Sequence, residues 1–467
     1  MTHKKCSTGL IRVRLLLAAA LALAIPASAE WKEKVLYSFQ GGASDGSVPA
    51  GGVVFDPQGN LYAATTDGGP ASCKPIGGAC GTVFQLSPPA QKGGAWTETL
   101  IYQFQGKGSN DGESPNGGLI IDAQGNLYGV TGYGGTGNCV LLGVSAGCGT
   151  VYELSPPKQK GGTWTESILY SFPTAKQGYL PNGDLVLDGA GNLYGATIFG
   201  GGKGTTCDPF YQYCGAVFKL SPPKTKGGKW TEKVLHAFGG IGTGKQFGDG
   251  ASPNGGLILD SKGAIYGTTY IGGYNCSHSS NQGCGTAFKL QPPTKKGGAW
   301  TEKALHRFSG QDGGNPAAGV VFDGNGNLYS TTVGGGGGNF PSGTVVQLVP
   351  RSDGTWTEHI LHSFEDNSDG GEPRSGLVID SKGNLYGTAT SGGGSNFAGT
   401  VFQLAKNPAG HWVFAAVYSF NGVNNGDGAF PSGDIVLNAG NIFGTTQAGG
   451  TGSSCQGGCG TVFEARP

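Results

Sequence analysis

Tryptophan recurs seven times, at Trp31, Trp96, Trp164, Trp230, Trp300, Trp356 and Trp412, and each copy opens a unit 56 to 70 residues long. A unit of this size with short β runs and no helical period is one blade of a closed all-β array. The fourth copy shows the pattern: Trp230 to Phe238, Gly255 to Asp260, Ile265 to Thr269 and Gly285 to Leu290 are four runs of strand length. They alternate or carry β-branched and aromatic residues, and Gly, Pro, Asn and Ser fill the gaps, as in short antiparallel strands. Four runs per unit and seven units predict an all-β, seven-bladed β-propeller of four-stranded antiparallel blades, a single domain over 30–467.

The ends of the repeat region set the phase. It starts on a Trp-type run (Trp31 to Phe39) and stops on a Gly-Thr-Val-Phe run (Gly460 to Glu464). With Gly-Gly-Leu-Val innermost and the Trp run outermost, blades one to six are continuous and blade seven takes its outer strand from residues 31–39. Such a clasp removes two open sheet edges. The link Asp56-Pro-Gln-Gly-Asn60 recurs at Asp122, Asp188, Asp323 and Asp380; glycine supplies the positive φ of a tight turn and the Asp side chain bonds turn amides, so these aspartates read as structural.

The inner part of the unit, as in Ser375-Gly-Leu-Val-Ile-Asp380 to Gly383-Asn-Leu-Tyr-Gly387, resembles NHL-type propeller blades. The whole unit, with Asp-Gly-x-x-Pro, Gly-Asn-Leu-Tyr-Gly-Thr-Thr and Gly-Thr-Val-Phe-x-Leu, resembles the GloVer-type tandem repeat of bacterial extracellular proteins across residues 31–467. The resemblance implies a secreted or surface protein and brings no catalytic residues with it. Relatives often end in a sorting anchor, whereas this chain ends on a strand at Pro467, so free secretion is expected.

Residues 1–29 agree with export: a basic start (Lys4, Lys5, Arg12, Arg14), an apolar stretch from Leu15 to Ile25, and Ala27-Ser-Ala29 ahead of Glu30 form a signal peptide. No later stretch has the length a membrane helix needs, so no membrane insertion is expected. Removing those four of 30 basic residues leaves 26 Lys plus Arg against 30 Asp plus Glu, a net charge of −4. With no basic run, nucleic acid is not an expected partner, and the expected state is a monomer.

Ten cysteines remain after cleavage, as five close pairs in one loop of the repeat: Cys73/Cys80, Cys139/Cys148, Cys207/Cys214, Cys276/Cys284 and Cys455/Cys459. An even count in an exported chain argues for five local disulfides; histidines at ligand spacing are lacking, so zinc is not expected. His236, His306 and His362 take the slot of Tyr37, Tyr102, Tyr170 and Tyr418 and read as structural. Asp-Gly-x-x-Pro occurs six times, at Asp45, Asp111, Asp249, Asp312, Asp369 and Asp427, with Gln177-Gly-Tyr-Leu-Pro181 in its place once. It reads as a turn whose Asp bonds backbone amides, against the alternative of a calcium site.

Function is then sought where the copies differ. The cysteine loops and Asp-Gly links are expected on one face, walled by long loops in blades seven and one to four and low at blades five (Gly334 to Ser342) and six (Ser391 to Ala398). Aromatics on the wall, Tyr133, Phe199, Tyr211, Tyr213 and Tyr270 foremost, with Phe210 and Tyr274, are candidates to stack on sugars. Where five inner strands have Gly52, Gly118, Gly256, Gly319 and Gly376, blades three and seven have Asp184 and Asp434 at the channel mouth. These read either as two solvated acids across a wide ring or as a carboxylate pair for glycoside chemistry, which needs about 5 to 10 Å between them. The expectation is a secreted, non-catalytic binding or scaffold module for extracellular polysaccharide, without cofactor. Alternatives are a polysaccharide-cleaving enzyme using Asp184, Asp434 or Asp208, a quinoprotein, for which no motif is visible, and a purely structural surface protein.

Overall fold

The computed structural model describes residues 31–49, 51–69, 73, 80–141, 143–159, 161–202, 214–225, 227–240, 248–273, 283–337, 342–365, 369–423 and 426–467. Residues 1–29, read from the sequence as a signal peptide, lie outside them. The strands form seven antiparallel sheets that are each one blade, and a small hairpin of Val140–Leu141 and Val144–Ser145 in the cysteine loop of blade two. Blade four shows the plain order: Ile258–Leu259, Ile265–Thr269, Thr286–Gln291 and Thr301–Arg307, from the axis outwards. In blade seven the outermost strand is Lys32–Ser38, paired antiparallel with Thr461–Arg466. Lys107–Ser109 forms a 3-10 turn.

Aromatic pairs across blade boundaries hold the ring. Each outer strand ends in a phenylalanine that is 0–1% exposed, from Phe39 and Phe104 round to Phe420. At six junctions its ring meets an aromatic of the next blade edge-on, as in Phe39 on Phe84 at 5.0 Å, Phe172 on Phe218 at 5.2 Å and Phe420 on Phe463 at 5.1 Å. Burying one such ring is worth about 2–3 kcal/mol, and the edge-to-face pairing adds about 1 kcal/mol. The hydrophobic clusters accordingly span neighbouring blades; Phe39, Phe84 and Phe443, from blades seven and one, share one.

Both kinds of aspartate turn have the structural role read from their spacing. In the inner hairpin, Asp56 accepts the amides of Gln58 and Asn60 through Oδ1 and the Tyr62 hydroxyl and Asn60 Nδ2 through Oδ2. The same set recurs at Asp122, Asp188, Asp323 and Asp380. In the Asp-Gly link, Asp45 accepts the Gln40 and Gly46 amides and the Tyr37 hydroxyl. His236, His306 and His362 take the tyrosine's place, each with Nε2 at 2.9–3.0 Å from its own link carboxylate, Asp249, Asp312 or Asp369.

Around the axis neighbouring blades approach until their backbones touch. A Cβ on Gly51 would lie 2.1 Å from the Gly117 carbonyl oxygen, one on Gly117 2.5 Å from that of Gly183, and one on Gly433 2.3 Å from that of Gly51. Only glycine permits that approach, and so draws the inner strands into a narrow ring. Threonines on the second strand stitch it: Oγ1 of Thr268, Thr331 and Thr445 donates to the inner-strand carbonyl of the following blade at Ala318, Ser375 and Gly51.

Candidate functional site

The inner segments enclose a central cavity of about 330 Å³. One tier of its lining comes from the residue after the link proline: Asn116, Asn182, Asn254, Arg374 and Ser432 carry the polar groups. The next tier is glycine backbone, and the third holds Asp184 and Asp434. Arg374 is the one cation on this lining among the described residues, and it pairs with Glu372 at 2.8 Å.

The two aspartates are placed by glycines of the preceding blades. Oδ1 of Asp184 accepts the amide of Gly118 in blade two, and Oδ1 of Asp434 accepts that of Gly376 in blade six. A Cβ on Gly118 would sit 2.8 Å from Asp184 Oδ1, so glycine before and aspartate after form a matched pair. The carboxylates are half-buried rather than solvated, and they are not independent. Burial pushes Asp184 up to about 7, and the charge of Asp434 adds to the effect against the Gly118 hydrogen bond. Burial raises Asp434 as well. The cavity thus sets a carboxyl held above the ordinary carboxylate range beside side-chain amides and a guanidinium. Among the described residues no group of three or more His, Cys, Asp or Glu is arranged to hold a metal ion.

The loop face surrounds one mouth of this cavity. Disulfides join Cys73 to Cys80, Cys139 to Cys148 and Cys455 to Cys459. Cys214 and Cys284 are also disulfide-bonded, and their expected partners Cys207 and Cys276 lie outside the described residues. The bridges rest on the Asp-Gly links: a Cβ on Gly41 would meet Cys459 Sγ at 2.8 Å and one on Gly106 would meet Cys73 Sγ at 2.5 Å, which puts both loop sets on one face.

The candidate aromatics divide. Tyr270 holds the register position of Ile198 and Gln447, two residues of the cavity lining. Tyr133, paired across from Glu113, and Phe199, 6.0 Å from the Tyr179 ring, are half-buried against the core cluster of blades two and three. Tyr211, Tyr213, Phe210, Tyr274 and Asp208 lie outside the described residues.

Two rings of residues escaped the sequence reading. The residue before each link proline is left-handed in every blade: Val48, Ser114, Leu180, Ser252, Asn315, Glu372 and Phe430 have φ of 51–59°. Each amide donates to a carbonyl of the preceding blade, as Val48 does to Cys459, Ser252 to Cys214 and Phe430 to Ala398. The available signal was its chemistry, which varies from copy to copy beside an unvarying proline. The second ring lies on the outer strands. Glu33, Glu98, Glu166, Glu232, Glu302 and Glu358 each bury Oε1 with no hydrogen-bond partner among the described residues. Burial pushes Glu33 up to about 8 and the other five to about 7.

The molecule is therefore a seven-bladed propeller with a disulfide-bearing loop face around a polar central cavity. It belongs to the Gloeobacter/Verrucomicrobia repeat family, whose pattern matches residues 26–280 and 274–467. Among solved structures it is similar to the PQQ-bound aldose sugar dehydrogenase of Streptomyces coelicolor, at 12% identity and a TM-score of 0.43 over 94% of this chain and 99% of that one. It is also similar to PorZ, a surface component of the type-IX secretion system of Porphyromonas gingivalis, at 15% identity and a TM-score of 0.38 over 82% of this chain and 43% of that one. Likenesses of this degree carry no argument about activity. No curated protein matches the chain.

Proposed function

We propose that the protein is an extracellular, non-catalytic glycan-binding module whose loop face admits the end or a side branch of a polysaccharide into the central cavity. The observation that carries this reading is the lining: side-chain amides of Asn116, Asn182 and Asn254, the Asp184 and Asp434 carboxylates and the Arg374 guanidinium converge on one space of about 330 Å³. Planar groups that donate and accept in pairs suit vicinal hydroxyls, and a concave site with few fixed polar groups is the usual form of a small-ligand pocket. A volume of this order holds one or two sugar rings, not a chain threaded across the ring. Disulfides in five loops, and no helix among the described residues long and apolar enough to cross a membrane, support an extracellular setting.

One observation favours a second reading. Asp184 is pushed up to about 7 beside a second carboxylate, which is how a glycan-cleaving enzyme prepares a general acid. A single experiment separates the two: the exported protein is titrated with soluble cello-, xylo-, malto-, chito- and laminari-hexasaccharides while reducing ends are counted in the same wells. Binding without release supports the module, release supports the enzyme, and silence across the panel overturns both in favour of a structural surface protein.

A further inference from the structure

Phe397 and Phe430 are the only exposed aromatic residues among those described, at 53% and 43%, and both are left-handed, with φ of 50° and 59°. Bulky side chains rarely take that region, and phenylalanine is rarely left in water. Two local rules are broken together, twice, at one place. At Phe430 the backbone strain belongs to the ring of pre-proline residues and is answered by its amide, which donates to Ala398 at 2.8 Å. Nothing in that hydrogen bond requires an aromatic side chain; serine and asparagine serve in other blades.

The same bond brings the two segments side by side, because Phe397 directly precedes Ala398. Asn396 Nδ2 donates to the Asn421 carbonyl at 2.8 Å, so the blade-six loop and the link into blade seven are tied together. The direction of the left-handed side chains is shown by Leu180: a Cβ on Gly132 would lie 3.3 Å from its Cδ1, and Gly132 holds the register position of the cavity-lining Ile198 and Gln447 in the preceding blade. Phe430, in the same place in its blade, leans by this analogy towards the rim of the cavity. At Phe430 the chain runs on through Pro431 into Ser432 and Asp434 on the cavity wall, and blade six supplies Arg374 beside it.

We propose that Phe430 and Phe397 form a stacking platform at the blade-six to blade-seven edge of the mouth, on which a pyranose ring of the glycan lies while Arg374 and Asp434 take its hydroxyls. This deepens the glycan-binding reading and rests on it. An aromatic face beside planar charged groups matches a sugar, which presents C–H groups on one face and hydroxyls at its edge. A protein partner would need a larger contiguous apolar area than two rings surrounded by polar cavity groups.

The test uses the exported full-length protein, the five hexasaccharides above, and Phe430→Asn and Phe397→Asn, singly and together. Asparagine accepts a left-handed backbone better than phenylalanine, so the variants should melt no lower than the parent. The expected result is at least a tenfold loss of affinity in the double variant, with Phe430→Trp retaining affinity. If the parent binds a hexasaccharide and the double variant binds it equally well, the platform is overturned while the cavity reading stands. If variants melt lower and bind normally, the phenylalanines are structural and the proposal fails. If the parent binds none of the five, the glycan reading falls and takes the platform with it.

Discussion

Phe414 lies flat against His362, with ring centroids 3.8 Å apart and planes 9° from parallel. His362 belongs to the outer strand of blade five and Phe414 to that of blade six, at the position where the other six blades carry a glutamate. This junction exchanges a buried acid for a stacked ring. Phe414→Ala should lower stability by about 1–2 kcal/mol, from lost burial and stacking. Phe414→Glu should also raise the pKa of His362, which burial now holds below the ordinary value. Following the His362 ring protons by NMR through pH 4–8 checks this; an unchanged titration would sink it.

The six outer-strand glutamates should make the protein more stable in mild acid than in mild base. Burial raises all six, Glu232 by burial alone, and five also face charge across a junction: Asp427 beside Glu33, Asp45 beside Glu98, Asp111 beside Glu166, Asp249, His236 and Arg307 beside Glu302, and Asp312 and His306 beside Glu358. Their carboxyls bind a proton more tightly folded than unfolded, so their contribution is complete below the ordinary value of 4.5 and is lost as pH rises through about 7 to 8. Asp249 and Asp312, held low by their histidines and backbone amides against burial, act oppositely and lose their contribution below the ordinary 3.8. The melting temperature should peak near pH 5 and fall towards pH 8.5, and Glu98→Gln with Glu166→Gln should flatten the fall. A parent curve level from pH 5 to 8.5 would refute the argument.

Asp184→Asn keeps an oxygen for the Gly118 amide and removes the charge that Asp434 opposes. It should raise stability by about 1 kcal/mol at pH 8 and leave it unchanged at pH 5, where the carboxyl is already protonated. Denaturant melts at the two pH values distinguish this from an effect on packing, which would be the same at both.

Deleting residues 31–39 removes the strand paired with Thr461–Arg466 and, with it, buried Leu36 and Phe39. The loss of two core side chains and an entire edge of hydrogen bonds should cost more than about 5 kcal/mol and lower the melting temperature by at least 10 °C, or prevent folding altogether. A truncated protein that melts with the parent would show that the ring does not depend on this strand.

What the sequence made legible followed from repetition. Tyr37 and His236 in one slot, Asp56 with its neighbours, and the three cysteine pairs among the described residues are read correctly because several copies state the same local chemistry. Asp184 was visible as a break but not as a partner of Gly118, since that contact joins residues 66 positions apart. The left-handed state of Val48 could not be read at all: propensity argues against positive φ in a β-branched residue before proline, and the hydrogen bond to Cys459 that sustains it comes from the far end of the chain. Tyr133 and Phe199 were grouped with Tyr270 because all three are aromatics of the same loop region, whereas neighbouring positions of a strand face opposite ways.

The left-handed residues join each blade to the one before by main-chain atoms only. This part of the junction has no side-chain lock and key, and the edge-on aromatic pairs beside it recur at six junctions, so a duplicated copy inserted into the gene arrives compatible with either neighbour. Growth by whole units is then tolerated before any residue has been adjusted, and the residue displayed over the rim is left to drift until a ligand gives it value. A tandem array can in this way lengthen first and specialise afterwards.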